Sequence, residues 1–144
     1  VAFLEQGKKV TAIDVAEDML RLTQTRVDAT DHGDRFTAIH ADYMALELEE
    51  PADAACVMGV FDYVAEPVPM LKKLMKDTRR EIYISIPNDH GLLALQRRIR
   101  YRLKNCPLYL YSKKYLEGCL EEAGCLDKTE LIEDSRGAFL VIRP

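Results

Sequence analysis

Four short apolar runs, at residues 10–13, 36–40, 54–60 and 82–86, alternate with stretches of helical period, and this rhythm constrains the fold more than any other feature of the chain. Strands separated by helices are joined by crossovers, which makes neighbouring strands parallel and places helices on both faces of the sheet. The runs "AACVMGV" and "IYISI" are almost continuously apolar, as strands covered on two faces must be, although a short run alone also suits a buried helix. Between the first two runs, Ala16, Met19, Leu20, Thr23 and Val27 form one helical stripe. Val68, Leu71 and Met75 form another, after Pro67 near a first turn.

After Pro87 the rhythm changes. The stretch "NDHGLLALQRRIRYRLKNCPLYLY" is too long for a simple connection and has its own helical period at Leu92, Leu95, Ile99 and Leu103, which predicts an inserted cap over residues 88–111. Ser112 then offers an N-cap, Leu116, Cys119, Leu120 and Ala123 an apolar face, and Gly124 a helix stop. The runs "DKTELIED" and "GAFLVIRP", joined at Ser135, Arg136 and Gly137, predict a terminal antiparallel hairpin. At the other end, "VAFLEQGKK" reads as the back half of a helix stopping at Gly7. A domain that opens inside an element is expected to be shortened at its N-terminus.

A chain of 144 residues, 48% hydrophobic and 31% charged, has the make-up of one globular domain. Its formal charge of -4 argues against a general nucleic-acid binder, which draws its affinity from a positive field. No apolar stretch approaches the roughly 20 residues that cross a bilayer, and no signal-like segment opens the sequence, so a cytoplasmic location is expected. Cys56, Cys106, Cys119 and Cys125 form no CxxC pair and stand at no zinc-like spacing from a His. They predict buried or semi-buried free thiols, with no metal site and no disulfide framework.

In open α/β sheets ligands collect at the carboxyl ends of the strands. Those ends read Asp14, then Asp42 and Tyr43, then Gly59, Val60, Phe61, Asp62 and Tyr63, then Pro87 and Asn88. An acid at a strand tip can accept from both hydroxyls of a ribose, and Asp14 has that position; equally, Asp14 can cap the next helix, with Glu17 completing a capping box. Asp42 can accept from an exocyclic amine or close an Asx-turn. Asp62, Tyr63 and His90 stand near strand ends, where each can orient or deprotonate a substrate oxygen or nitrogen, or serve the fold. In "RRIRYRLK", Arg97, Arg98, Arg100, Arg102 and Lys104 surround Tyr101, the pattern of an anion-binding lid or of a solvated amphipathic helix.

These segments together resemble the class I S-adenosylmethionine-dependent methyltransferases, from "VTAIDVAEDML" through "GVFDYVAEPVPMLKKL" to the final hairpin. The resemblance implies a Rossmann-like three-layer α/β/α sandwich, mostly parallel with a C-terminal antiparallel hairpin, in which the family's first strand and glycine-rich loop would precede Val1. It implies S-adenosyl-L-methionine as cofactor, with Asp14 on the ribose, Val15 beside the adenine, Asp42 on the adenine amine, Tyr43 next to it, and Gly59, Val60 and Phe61 flanking the methionyl part. Ala16 departs from the pattern, standing where a Ser often caps the helix. The implied activity is methyl transfer to a small-molecule acceptor, with Tyr63, Asp62 and His90 as candidate catalytic groups and Asn88, Arg97, Arg98 and Tyr101 toward a substrate that the basic lid would suit if anionic. Two other readings remain open: a non-catalytic Rossmann-like interaction module, and an NAD-dependent oxidoreductase fragment. The terminal hairpin disfavours the last, because dinucleotide sheets continue with parallel strands.

Overall fold

The computed structural model describes residues 1–87, 108–134 and 137–144, which fall into two compact units, Val1–Leu48 and Glu49–Pro144, each with its own sheet. Most of the expected cap lies outside the described residues.

The first unit opens with one helical turn, α1 (Ala2–Glu5), which stops at Gly7 as the sequence predicts. Strand β1 (Val10–Asp14), helix α2 (Glu17–Asp28), a 3-10 turn (Gly33–Arg35) and strand β2 (Phe36–His40) follow. The two strands are parallel, with Val10 opposite Phe36 and Asp14 opposite His40. Both therefore end at the same edge. Helix α2 packs on the pair and buries Leu20 and Val27, two turns apart. Met19 and Ala16, expected on the same stripe, are exposed. Two strands offer a helix a narrow floor, which one row of side chains covers.

The second unit contains β3 (Ala52–Val57), a 3-10 turn (Phe61–Tyr63), α3 (Pro67–Asp77), β4 (Thr78–Pro87), α4 (Lys113–Glu122), a 3-10 turn (Leu126–Lys128), β5 (Thr129–Asp134) and β6 (Gly137–Ile142). The sheet order is β3-β4-β6-β5, parallel between β3 and β4 and antiparallel elsewhere. Strand β4 is its axis, burying Ile82, Ile84 and Ile86, with Ile82 opposite Ile142 and Ile84 opposite Leu140. It starts at Thr78, earlier than the apolar run suggests, because α3 passes directly into it. Strand β3 ends at Val57, so residues 58–60 form a turn where the sequence predicts strand.

Pro67 takes the first position of α3, whose buried face centres on Met70, Leu71 and Leu74. Val68 and Met75, expected on that face, are half-buried at its margins. Ser112 caps α4 as predicted, its hydroxyl accepting from the Tyr115 N–H at 3.3 Å, and Leu116, Cys119 and Leu120 are buried. Gly124 closes α4 at φ +72°, a left-handed conformation that lets the Cys125 N–H reach back to the Leu120 carbonyl at 2.9 Å. The terminal hairpin pairs as expected, its predicted turn at 135–136 lying outside the described residues. Cys119 and Cys125 are buried free thiols, whereas Cys56 is exposed on edge strand β3.

Ile84 is wholly buried on the sheet axis. Ile84→Ala is expected to lower stability by about 3 kcal/mol in urea unfolding. Leu22→Ala, on the exposed side of α2, is expected to change it by less than about 0.5 kcal/mol.

Candidate functional site

In the first unit the parallel register places two aspartate turns side by side. Asp14 Oδ1 accepts from the Ala16 N–H at 2.8 Å, and Asp42 Oδ1 accepts from the Met44 N–H at 2.9 Å. Helix α2 begins after Ala16 with no side-chain cap, so the capping box between Asp14 and Glu17 does not form. Each carboxylate thus spends one oxygen on its own turn, and no hydrogen bond among the described residues engages the other. Each Asx-turn uses one carboxylate oxygen and leaves the second as a possible acceptor. It aims the carboxylate.

Two further contacts fix this edge. The Ala41 N–H donates to the Asp14 carbonyl at 3.2 Å, and His40 Nε2 lies 3.0 Å from the Val15 carbonyl. Val15 itself is 66% exposed, an apolar surface beside a carboxylate. Tyr43 is half-buried. Asp14, Val15, Asp42 and Tyr43 are therefore brought to one edge by two adjacent strand ends.

In the second unit, Gly59 follows β3 at φ +70°, where a side chain would be strained, and its N–H donates to Ser85 Oγ at 2.8 Å. Gly59 and Val60 are exposed. Phe61 is placed otherwise than the resemblance implies: its ring is wholly buried, edge-on to Tyr111 with centroids 6.5 Å apart, so it serves the core. Asp62 is also buried, whereas Tyr63 is 47% exposed. The 3-10 turn is held from outside, since the Tyr109 N–H donates to the Asp62 carbonyl at 2.8 Å and the Tyr111 hydroxyl donates toward the Phe61 and Val64 carbonyls. Burial pushes the Tyr111 phenol well above its ordinary value, with Tyr115, Cys119 and Asp62 adding to the effect.

The other predicted site residues, Asn88, His90, Arg97, Arg98 and Tyr101, lie outside the described residues. Sequence reasoning missed His40, Ser85 and Tyr111. Ser85 was visible as the one polar residue inside "IYISI", and Tyr111 as the residue just ahead of the Ser112 cap. His40 ends its strand, but nothing in its neighbours signals the carbonyl that it meets. Among the described residues, no three His, Cys, Asp or Glu are grouped to hold a metal ion, and no helix is long and apolar enough to cross a membrane.

Acid-bearing turns at the carboxyl ends of parallel strands, with an antiparallel strand pair completing the second sheet, define an α/β fold of the Rossmann-like class. The chain belongs to the methyltransferase domain family, whose model matches residues 1–80. The solved structures agree on the fold. The magnesium protoporphyrin IX methyltransferase of Synechocystis PCC 6803, with bound SAH, is 16% identical at a TM-score of 0.76, over 99% of this chain and 67% of that one. A SAM-dependent methyltransferase from Thermotoga maritima is 16% identical at a TM-score of 0.66, over 92% of this chain and 70% of that one. The pyocyanin biosynthetic protein PhzM is 12% identical at a TM-score of 0.66, over 92% of this chain but 42% of its own. No curated protein matches the chain in sequence.

Ser85→Ala removes the acceptor of the Gly59 N–H and is expected to raise amide hydrogen exchange at Gly59 by about two- to tenfold. Tyr111 supplies a pH dependence whose sign follows from its raised pKa. The stability that it contributes is complete below the ordinary value of 10 and is lost as pH rises above it. In an alkaline ultraviolet titration, one tyrosine is expected to ionise after the exposed ones and together with unfolding, and this late step should vanish in Tyr111→Phe.

Proposed function

We propose that the protein is an S-adenosylmethionine-dependent methyltransferase acting on a small-molecule acceptor in the cytoplasm. The observation that carries this reading is the pair of aspartate turns at the ends of β1 and β2, each with a carboxylate oxygen left over by its own turn. Membership of the methyltransferase domain family supports it.

The residues suit a nucleoside. A ribose presents two adjacent hydroxyl donors, which a fixed carboxylate such as Asp14 accepts in charge-assisted bonds. Val15 offers apolar surface to the flat face of a purine, and the Asp42 carboxylate an acceptor for its exocyclic amine. Tyr43 follows as a flanking residue. Gly59 and Val60 are carried over from the family resemblance as candidates for the amino-acid end of the cofactor; within the second unit they stand on an exposed turn pinned by Ser85.

Bound there, the cofactor supplies an electrophilic methyl group on a sulfonium. What the chain must add is alignment of the acceptor and exclusion of water, since displacement at a methyl group gains most from orientation. Tyr63 is the described candidate for orienting an acceptor, being exposed on the turn that Tyr109 and Tyr111 hold. Asp62 is buried on the same turn and serves as a positioning residue. His90 remains a candidate base, and Asn88, Arg97, Arg98 and Tyr101 remain candidates for contact with an anionic part of the substrate.

Calorimetric titration of the full-length protein with S-adenosylmethionine and S-adenosylhomocysteine tests the assignment. Both are expected to bind, with Asp14→Ala weakening binding by about tenfold or more, the worth of a hydrogen bond to a charged group. Binding of neither ligand would refute the function. Unchanged affinity in Asp14→Ala would refute the role of Asp14.

A further inference from the structure

Strands β1 and β2 stop together, but the bonding between them runs on past their ends. The Ala41 N–H donates to the Asp14 carbonyl at 3.2 Å, and the next carbonyl, that of Val15, meets His40 Nε2 at 3.0 Å. Two consecutive carbonyls are thus engaged from the β2 side, one by backbone and one by a side chain. A carbonyl oxygen can only accept, so Nε2 carries the hydrogen and the neutral ring is held in one tautomer.

The Val15 carbonyl is one end of a peptide group whose other end is the Ala16 N–H, the donor that meets Asp14 Oδ1 at 2.8 Å. The group is planar, so it cannot rotate without breaking one bond or the other. Donation to its carbonyl also polarises it, which strengthens its N–H as a donor. Helix α2 cannot supply this brace, because its first bonds, from the Met19 and Leu20 N–H groups, reach the Ala16 carbonyl, one residue beyond Val15. The neighbouring strand supplies it instead. In the Asp42 turn the corresponding peptide joins Tyr43 to Met44 and is braced by its own chain, since the Tyr43 carbonyl accepts from the Leu46 N–H at 3.3 Å.

We propose that His40 is a positioning residue, whose imidazole fixes the peptide between Val15 and Ala16 and through it sets the Asp14 carboxylate for a ligand. The coupling of ring to carboxylate stands on the first unit alone. Only its service to a ribose rests on the proposed methyltransferase function.

Replacements at His40 separate the donor from the ring. Gln carries an amide nitrogen the same number of bonds from Cα as Nε2, Asn carries one where Nδ1 stands, and Phe keeps a ring without a donor. In the free full-length protein, 15N NMR is expected to find the ring hydrogen on Nε2. Amide exchange at Ala16 is expected to rise about fivefold in His40→Phe and His40→Asn, and to stay within about twofold in His40→Gln. Calorimetric affinity for S-adenosylhomocysteine is expected to fall about fivefold in the first two variants and to recover to within about twofold in His40→Gln. An Ala16 amide indifferent to His40→Phe, or His40→Gln no better than His40→Asn, would overturn the proposal. So would a loss of protection along the whole of β1 and β2, which would make the imidazole a support of the strand pair rather than of the turn. If the unaltered protein does not bind S-adenosylhomocysteine, the methyltransferase function falls, and the ring tautomer with Ala16 exchange still decides the role of His40.

Discussion

The parallel pairing of β1 with β2 is the constraint on which the candidate cofactor edge depends. With Asp14 opposite His40, both strands stop at one level, and the two turns that follow must start side by side. A slip of one residue would turn every side chain of β1 to the other face of the sheet and move Asp14 out of step with the end of β2, because strand side chains alternate. The register is secured beyond the strands, where Ala41 donates to the Asp14 carbonyl and His40 reaches the Val15 carbonyl. The carboxylates are then aimed by their own Asx-turns, so that little ordering is left for a ligand to bring about.

The second unit solves a similar problem by different means. The turn beyond β3 contains no regular structure long enough to fix itself, and it is pinned on one side by Ser85 on β4 and on the other by Tyr109 and Tyr111 ahead of α4. Phe61 anchors it into the core, which leaves Gly59, Val60 and Tyr63 exposed along the same few residues. At the far end of α3 the buried Asp77 pairs at 2.9 Å with the half-buried Lys73 one turn back, which staples the last turn of the helix. Polar groups here hold loops and junctions, while the sheet itself rests on Ile82, Ile84 and Ile86.

The strands were legible because period and burial agree: the four runs, the Ser112 cap and the final hairpin all follow from local pattern. The errors lie where three-dimensional context decides. Met19 belongs to the helical stripe by spacing but is exposed, since a stripe says nothing of how wide a floor it will meet. Phe61 reads as a site residue by position and is a core residue by packing, a distinction that needs Tyr111, fifty residues away in sequence. Asp14 and Asp42 were found from their places at strand ends, yet the sequence offered capping and ligand binding as rivals. The structure shows that one oxygen of each carboxylate can serve the turn while the other is left over.

The central claim is that the two aspartate turns form one nucleoside-binding edge. Amide chemical shifts recorded while S-adenosylhomocysteine is added to the labelled protein test it most directly. The N–H groups of Ala16 and Met44, which donate to the two carboxylates, are predicted to shift together along a single saturation curve while the β5 and β6 amides stay still. Saturable binding that leaves Ala16 and Met44 unmoved would contradict it.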